Sequence, residues 1–236
     1  MSILRSLIVV SCLRLLPRLV TSDPYRRVRV KMRRRPKVFC VGMNKTGTTS
    51  LARVLEQLGY WMGDQGRAEQ FVEDWRRRDF SRIIDYCKIY EAYQDVPFSM
   101  DFTYQAMDVA FPDSRFILSV RESPEVWLES LIRFHSRKFA EGRHPTIDDL
   151  AKATYQSPGW ILNRLRLAFG DGPLYDEDTY TEAYRRHNAS IQHYFDGRPD
   201  DLLVLNVADP DALERVCRFL GHPVLEGQFP HLNPSN

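Results

Sequence analysis

A lysine and a run of hydroxyl side chains follow a short apolar segment early in the chain. Residues 37–51 read KVFCVGMNKTGTTSL, and the apolar residues 38–41 predict a buried strand that ends at Gly42. A helix is predicted next by the i, i+3, i+4, i+7 spacing of Leu51, Val54, Leu55 and Leu58. A strand, a glycine-containing loop and a helix N-terminus in this order form an anion-binding site, because loop N–H groups and the helix dipole favour negative charge.

The position of the lysine distinguishes this loop from that of nucleoside triphosphatases, which reads G-x-x-x-x-G-K-[ST]. Gly42 and Gly47 have the required separation, but Thr48 occupies the lysine position. The lysine is Lys45, two residues before the second glycine. We therefore expect Lys45 to contact the anion from the leading side of the loop. Thr48 and Thr49 are expected to offer hydroxyl and N–H groups at the helix start.

A carboxylate that could act as a base stands in the segment Asp95-Val96-Pro97. This segment comes after residues 81–93, whose pattern predicts either one helix or a helix followed by a second strand. A positioned aspartate can accept the proton of a hydroxyl nucleophile. Asp85 and Asp101 are weaker candidates, and Asp101 is predicted to lie early in a helix over residues 99–111, where the dipole favours an acid. Asp95 could instead have a purely structural role, in a turn or in an ion pair with a basic side chain.

An arginine, Arg121, ends the predicted strand over residues 115–120. A triphosphatase needs an aspartate at such a strand end to help hold magnesium, whereas the donor fork of an arginine suits a phosphate. A surface ion pair is the alternative for Arg121. Ser123 and Pro124 then predict the N-cap and first residue of the next helix, which carries Ser130.

The order of these elements predicts an α/β fold. Apolar strand-like runs at residues 38–41, 115–120 and 202–207 alternate with helical patterns, as in a mainly parallel sheet flanked by helices. We expect a P-loop NTPase-like three-layer sandwich over residues 37–236, with its ligand at the carboxyl ends of the strands. Tyr155 and Trp160 are predicted to line an acceptor pocket or to pack in the core.

The chain has 236 residues and a net charge of +2, but residues 1–36 form a strongly basic arm. The apolar stretch of the arm is too short to span a membrane. The start of the arm fits either a membrane-surface or targeting segment or an unstructured arm. The end of the arm, just before the domain, is predicted to be a solvated linker. The four cysteines lack C-x-x-C spacing, which argues against a zinc knuckle or redox motif. They are predicted to be reduced and structural, so cytoplasmic localisation is expected. Neither a metal nor nucleic acid is expected as a ligand, because histidines lack partners at metal spacing and aromatics are scarce among the basic residues.

The loop N-K-T-G-T-T-S resembles the K-[ST]-G-T-T loop of sulfotransferases that use 3′-phosphoadenosine 5′-phosphosulfate (PAPS). The segment Asp95-Val96-Pro97 resembles the Asp-x-Pro that replaces His-x-Pro in one branch of that family, and FPHLN at residues 229–233 resembles the closing F-P-x-x-N of the same branch. The resemblance covers about residues 36–234. It implies sulfuryl transfer from PAPS to a hydroxyl of a small-molecule or glycan acceptor, with 3′,5′-ADP as the leaving group and without a metal.

The resemblance also implies roles for individual residues. Asp95 would take the acceptor proton, and Arg121 with Ser130 would bind the 3′-phosphate. The 5′-phosphosulfate would be bound by the loop residues Lys45, Thr46, Gly47, Thr48, Thr49 and Ser50, with Lys45 also neutralising the leaving group. Two features depart from the family: Ser50 stands where many members have tryptophan, and the C-terminal R-K-G-x-x-G stretch is absent. A nucleotide kinase or triphosphatase and a non-catalytic nucleotide-binding protein remain the alternatives.

Overall fold

Four strands form one parallel sheet in the order β2-β1-β3-β4. In this computed structural model the described residues are 35–230 together with Val30 and Arg33, and all structural statements refer to them. The strands are β1 (Val38–Cys40), β2 (Ala92–Tyr93), β3 (Arg115–Ser119) and β4 (Leu202–Leu205). The predicted α/β fold with a parallel sheet is thus confirmed. The chain goes from β1 to β2 on one side and then to β3 on the other, so a crevice opens at the carboxyl ends of β1 and β3.

Helices cover the sheet and its carboxyl end. Their bounds are α1 (Thr48–Gln57), α2 (Gln65–Ala68), α3 (Val72–Arg76), α4 (Ser81–Tyr86), α5 (Thr103–Ala110), α6 (Pro124–Phe139), α7 (Ile147–Lys152), α8 (Trp160–Phe169), α9 (Glu177–Tyr194) and α10 (Ala212–Phe219), with a 3₁₀-helix (Glu69–Phe71) joining α2 to α3.

Alternating residues of the strands face two separate cores, as the period of a β-strand requires. Phe39 and Phe116 stack at 5.5 Å in the core that includes residues of α3, α4, α5 and α9. Val38 and Ile117 face the opposite core, which α1 and α10 complete. A third cluster joins α6, α7, α8 and α9 around Trp127. The sheet is therefore buried on both faces, with a helical cap built on residues 124–194.

Two helix predictions are wrong. One predicted helix begins later than expected, and the other is not one continuous α-helix. The helix expected over residues 99–111 begins only at Thr103, because Phe102 has a φ of +66° and interrupts it. Asp101 therefore precedes the helix, and its carboxylate lies 3.0 Å from Nδ1 of His187. The pattern of residues 68–78 predicts one charged surface helix with Phe71 and Trp75 at i and i+4, but the structure has the 3₁₀-helix followed by α3, and both aromatic side chains are buried.

The end of the basic arm packs against the domain. Arg33 Nη2 donates to the Gly59 carbonyl at 2.8 Å, and Arg33 Nε lies 2.9 Å from the buried carboxylate of Glu91. Arg35 Nη1 donates to Gly59 as well. The prediction of a solvated linker is therefore wrong at Arg33 and Arg35. The membrane-surface and targeting hypotheses concern residues 1–29, which lie outside the described residues, as does most of the FPHLN segment. Within residues 35–230, no helix combines the length and apolarity needed to cross a membrane.

Candidate active site

The loop after β1 takes its shape from the end of β3. Val41 N–H donates to the Ile117 carbonyl at 2.9 Å, which brings the two strand ends together. A Cβ on Gly42 would lie 2.3 Å from two oxygens of Ser119, so only glycine permits this approach. The Thr46 hydroxyl contacts the Met43 carbonyl at 2.7 Å and the Ser119 hydroxyl at 2.6 Å. The Thr46 hydroxyl therefore ties the loop to the end of β3.

Gly47 joins the loop to α1 in a conformation that favours glycine, with a φ of +94°. An added Cβ would lie 2.3 Å from Cγ2 of Val207. The helix then begins at Thr48, and the first N–H groups of a helix have no partner within it. Thr48 and Ser50 are buried and Thr49 is exposed. The strand, loop and helix N-terminus predicted as an anion cradle are therefore all present.

Lys45 is half-buried beside this cradle, with its Nζ 3.1 Å from the ring centroid of Phe134 on α6. Burial lowers the pKa of Lys45 to about 8, because desolvation disfavours its charged form. The negative charge of Asp95 opposes this shift, whereas the positive charge of Arg164 adds to it. Lys45 is therefore a cation that a bound anion would stabilise.

A hydrogen bond from Asn44 connects Asp95 to the loop that carries Lys45. Asp95 Oδ1 accepts hydrogen bonds from the Val96 N–H at 2.8 Å and from Nδ2 of Asn44. Because both bonds fall on Oδ1, Oδ2 is the oxygen placed to accept a proton. Asn44 is fixed at two further points: its Oδ1 accepts from Arg164 Nη2 and its carbonyl accepts from Trp127 Nε1, the latter at 2.9 Å. The structure thus brings together Lys45 and Asp95, which are 50 residues apart in the sequence.

Both residues have left-handed backbone conformations, with φ values of +71° for Lys45 and +60° for Asp95. This conformation costs a non-glycine residue roughly 1–2 kcal/mol. Such strain persists where surrounding contacts determine the conformation, and it concentrates at functional sites. Six other described non-glycine residues share this conformation, so it does not by itself identify a catalytic residue.

Arg121 holds the loop from the β3 side. Its Nε donates to the Lys45 carbonyl at 2.7 Å, and its backbone N–H donates to the Tyr184 hydroxyl at 2.8 Å. The contact with Lys45 does not use the terminal guanidinium nitrogens, which can face a phosphate. Ser130 is buried on α6 between Trp127 and Phe134, at the i+3 and i+4 spacings of one helix face. Arg121 thus contacts the loop, and Ser130 lies on α6 between Trp127 and Phe134, which both contact it; binding of a 3′-phosphate by Arg121 and Ser130 stays a prediction.

Arg164 is a site residue that sequence reasoning did not identify. It is only 8% exposed, and burial lowers its pKa while the charges of Asp95 and Glu69 oppose that shift. A signal was present, because Arg164 lies between Ile161 and Leu165 on the apolar face of α8. An arginine in such a position must find polar partners inside the protein.

Glu69 is a second buried charged residue near Asp95 that the sequence did not indicate. Its carboxylate accepts from the Tyr155 hydroxyl at 3.0 Å and from Gln156 Nε2 at 2.6 Å. Gln65 Nε2 contacts Glu69 Oε1 at 3.3 Å and the Val96 carbonyl at 3.1 Å, which links this network to the Asp95 turn. Burial raises the pKa of Glu69. The hydroxyl of Tyr155 is thus bound to Glu69, and its role in an acceptor pocket stays a prediction.

Histidine and carboxylate groups do not cluster as metal ligands in the part of the chain that the structure describes. His135 instead bonds through Nδ1 to the Tyr175 hydroxyl at 2.7 Å. Burial lowers the pKa of His135 to about 3, so this ring is neutral near pH 7. The charged groups at the crevice are therefore the lysine and arginines of the loop region together with Asp95.

Fold and site together define a P-loop-like α/β domain that has a lysine-bearing loop close to a carboxylate. Residues 37–236 match the family described as sulfotransferase domain, so the chain belongs to that family. The chain is also similar to the Ava biosynthesis cluster protein M of Aspergillus versicolor, with 26% identity over 223 residues that cover 85% of this chain and 82% of that protein. Membership of the family supports a sulfotransferase role and thus a transferase activity.

Proposed function

We propose that the protein transfers the sulfuryl group of PAPS to an acceptor hydroxyl and releases 3′,5′-ADP. The observation that carries this proposal is the juxtaposition of Lys45 and Asp95 through Asn44 at the crevice of a sulfotransferase-family domain. Sulfuryl transfer needs a cation for the leaving group and a base for the acceptor, and the crevice has one of each. The acceptor is proposed to be a small molecule or glycan and the location to be cytoplasmic, with membrane-surface contact through residues 1–36 as the alternative and no nucleic-acid partner.

The residues present fit a donor with two separate anionic groups. Gly47, with a φ of +94°, joins the loop to the first N–H groups of α1, and this loop and helix start suit the 5′ group. Arg121 contacts the loop at the Lys45 carbonyl, and together with Ser130 it would hold the 3′-phosphate. Lys45 and Arg164 add positive charge near the loop. Several anionic oxygens would thus meet basic side chains and oriented N–H groups.

The roles of the protein groups follow from their positions. PAPS, when bound, supplies an activated sulfuryl group. Asp95 Oδ2 takes the proton of the acceptor hydroxyl as its oxygen bonds to sulfur, and Asn44 keeps the carboxylate oriented for that transfer. Lys45 neutralises the charge that develops on the phosphate oxygen as its bond to sulfur breaks. Positioning and fixed electrostatics would supply most of the rate.

Nucleotide preference tests the donor assignment. Calorimetric titrations with 3′,5′-ADP, 5′-ADP and ATP–Mg²⁺ should show that 3′,5′-ADP binds more tightly than 5′-ADP by about 10–150-fold, since charge-assisted hydrogen bonds contribute roughly 1.5–3 kcal/mol. Arg121→Ala should largely erase this ratio. The ratio is the useful quantity, because Arg121 also holds the Lys45 carbonyl and its loss weakens both ligands. Arg53→Ala, which removes an exposed arginine on α1, is the control and should leave the ratio unchanged.

Two results would contradict the proposal. Tighter binding of ATP–Mg²⁺, with no effect of Arg121→Ala, would favour a P-loop kinase or triphosphatase. Binding of 3′,5′-ADP without transfer of labelled sulfate from PAPS to any component of a cell extract would favour a non-catalytic nucleotide-binding protein. The expected result is a labelled product with the wild type and its loss in Lys45→Met.

A further inference from the structure

A buried arginine on α8 is connected to the Asp95 carboxylate by hydrogen bonds. Arg164 is 8% exposed and lies between Ile161 and Leu165 on the apolar face of that helix. An arginine in this position needs polar partners inside the protein, because an unpaired buried charge is costly. Its Nη2 donates to Oδ1 of Asn44, 120 residues earlier in the chain. The proposed transfer gives Arg164 no role so far beyond its charge.

The two ends of the Asn44 side chain face different kinds of group. Its Oδ1 faces Arg164, and its Nδ2 faces Oδ1 of Asp95. A guanidinium group only donates hydrogen bonds, and an ionised carboxylate only accepts them. The amide therefore satisfies both neighbours in one orientation only, because a rotation by 180° would place its oxygen against the carboxylate and its N–H groups against the guanidinium. Arg164 thus determines which end of Asn44 the carboxylate meets.

The backbone around Asn44 is held by other side chains. Trp127, which is buried, donates through Nε1 to the Asn44 carbonyl at 2.9 Å. Arg121 Nε donates to the next carbonyl, that of Lys45, at 2.7 Å. With both carbonyls held, the orientation of the Asn44 amide depends on the partners of its side chain. Arg164 is the partner on one side and Asp95 the partner on the other.

Balancing the charge of Glu69 is a different role that Arg164 could have. The negative charges of Asp95 and Glu69 both oppose the lowering of the Arg164 pKa by burial. Glu69, however, accepts hydrogen bonds from the Tyr155 hydroxyl at 3.0 Å and from Gln156 Nε2 at 2.6 Å. The Glu69 carboxylate thus has neutral donors of its own. The hydrogen bonds that start at Arg164 lead to Asp95 instead.

We propose that Arg164 is a positioning residue that acts through Asn44 to orient the Asp95 carboxylate. Asn44 then donates to Oδ1 of Asp95, and Oδ2 takes the acceptor proton. In a chain of hydrogen bonds each member polarises the next, so the guanidinium charge also strengthens the Asn44 N–H as a donor. This role rests on the proposed sulfuryl transfer, since it concerns the base of that reaction.

The first test examines the hydrogen-bond chain in solution and needs no activity. The side-chain NH₂ signals of Asn44 are followed by ¹H–¹⁵N NMR of the full-length protein and are identified by their loss in Asn44→Ala. They should shift in Arg164→Met and in Asp95→Ala, because each removes one end of the chain. Arg166→Met removes an exposed arginine of α8 that pairs with Asp171, and it should leave the signals unchanged. Signals that do not move in Arg164→Met would overturn the proposal.

The second test is a double-mutant cycle on the reaction rate. The rate of labelled-product formation is measured at saturating PAPS with a fixed amount of cell extract. Arg164→Met and Asn44→Ala should each lower this rate about 10–100-fold, because a misplacement of about 1 Å can reduce a rate about 100-fold. The double variant should match Asn44→Ala within about twofold, since residues that act as one unit are not additive. Losses that multiply would show that Arg164 acts apart from Asn44 and would overturn the proposal.

A third variant separates positioning from folding if Arg164→Met is unstable. Asn44→Asp keeps a partner for Arg164 but presents an oxygen to Asp95 in place of the N–H donor. The protein should remain folded, and its rate should fall at least as far as that of Asn44→Ala. A wild-type rate in Asn44→Asp would contradict the proposal, because the donated hydrogen bond would then be dispensable.

Glu69→Gln distinguishes positioning from charge balance. Added to Arg164→Met, it should not restore the rate, whereas restoration would mean that Arg164 only neutralises Glu69. Arg166→Met again serves as the control and should keep the wild-type rate. Failure of the proposed function would appear differently, as a wild type that neither binds 3′,5′-ADP nor forms a labelled product. The NMR shifts require neither of these activities.

Discussion

The buried position of Lys45 predicts a specific pH dependence of nucleotide binding. Burial lowers the pKa of Lys45 to about 8, so the free protein loses this charge as the pH rises through 8. A bound phosphate or sulfate interacts with the protonated form, so only that fraction binds at full affinity. The dissociation constant of 3′,5′-ADP should therefore be constant below about pH 7 and should rise above pH 8.

The size of the effect follows from the fraction of protonated lysine. With a pKa of about 8, Lys45 is about nine-tenths protonated at pH 7 and about one-tenth at pH 9, so affinity falls about tenfold, or roughly 1.4 kcal/mol. The nucleotide does not cause this change, because phosphate monoesters lose their second proton near pH 6. Calorimetric titration from pH 6.5 to 9.5 at fixed ionic strength measures the dependence.

Lys37 offers a matched control for this experiment. It too is largely buried with a pKa lowered by desolvation to about 8, but it lies at the opposite end of β1 and donates to the Tyr90 carbonyl at 2.7 Å. Lys45→Met should bind weakly at every pH, with a flat profile, whereas Lys37→Met should retain the tenfold change. A flat wild-type profile between pH 7 and 9.5, or a rise that survives in Lys45→Met, would refute the reasoning.

Three further predictions concern the base, the loop and the arm. Asp95→Asn removes the proton acceptor but keeps the shape, so turnover should fall about 10²–10⁴-fold while the 3′,5′-ADP dissociation constant changes less than about twofold; unchanged turnover would exclude Asp95 as the base. Gly47→Ala places a Cβ against Val207 and should abolish 3′,5′-ADP binding in a thermal-shift assay, whereas Gly172→Ala, with nothing within 4 Å of its Cβ, should match the wild type. Deleting residues 1–24 should leave the melting temperature and 3′,5′-ADP affinity unchanged, because the described contacts of the arm come from Arg33 and Arg35; an insoluble product would show that earlier residues pack on the domain.

The parts of the fold that the sequence predicted are those set by local patterns. Strand β1, the loop and α1 form one continuous signal, because an apolar run, two glycines and the spacing of Leu51 and Leu55 all lie within 20 residues. The start of α6 was equally local, since Ser123 caps the helix and Pro124 is its first residue. The parallel sheet followed from the alternation of strands and helices, but the sequence did not predict that β1 pairs with β3.

The remaining features depend on contacts that no local pattern records. Helix α5 starts late because Phe102 adopts a left-handed conformation, and Asp101 is drawn to His187, which lies 86 residues further along the chain. The contact between Asn44 and Arg164 spans 120 residues. The sequence shows Arg164 on an apolar helix face, which indicates that it has a polar partner inside the protein but does not identify that partner.

Asn44 allows the opposite charges of Lys45 and Asp95 to lie close together without forming a direct ion pair. A direct ion pair between Lys45 and Asp95 would occupy both groups, leaving neither a free cation for the leaving group nor a free oxygen for the acceptor proton. Asn44 instead binds Oδ1 of Asp95, and the ring of Phe134 faces the Lys45 ammonium group. The Asp95 charge still favours protonated Lys45, since it opposes the pKa shift caused by burial. The neutral amide and the aromatic ring thus hold the charges near enough to stabilise each other and far enough apart for both to take part in the proposed transfer.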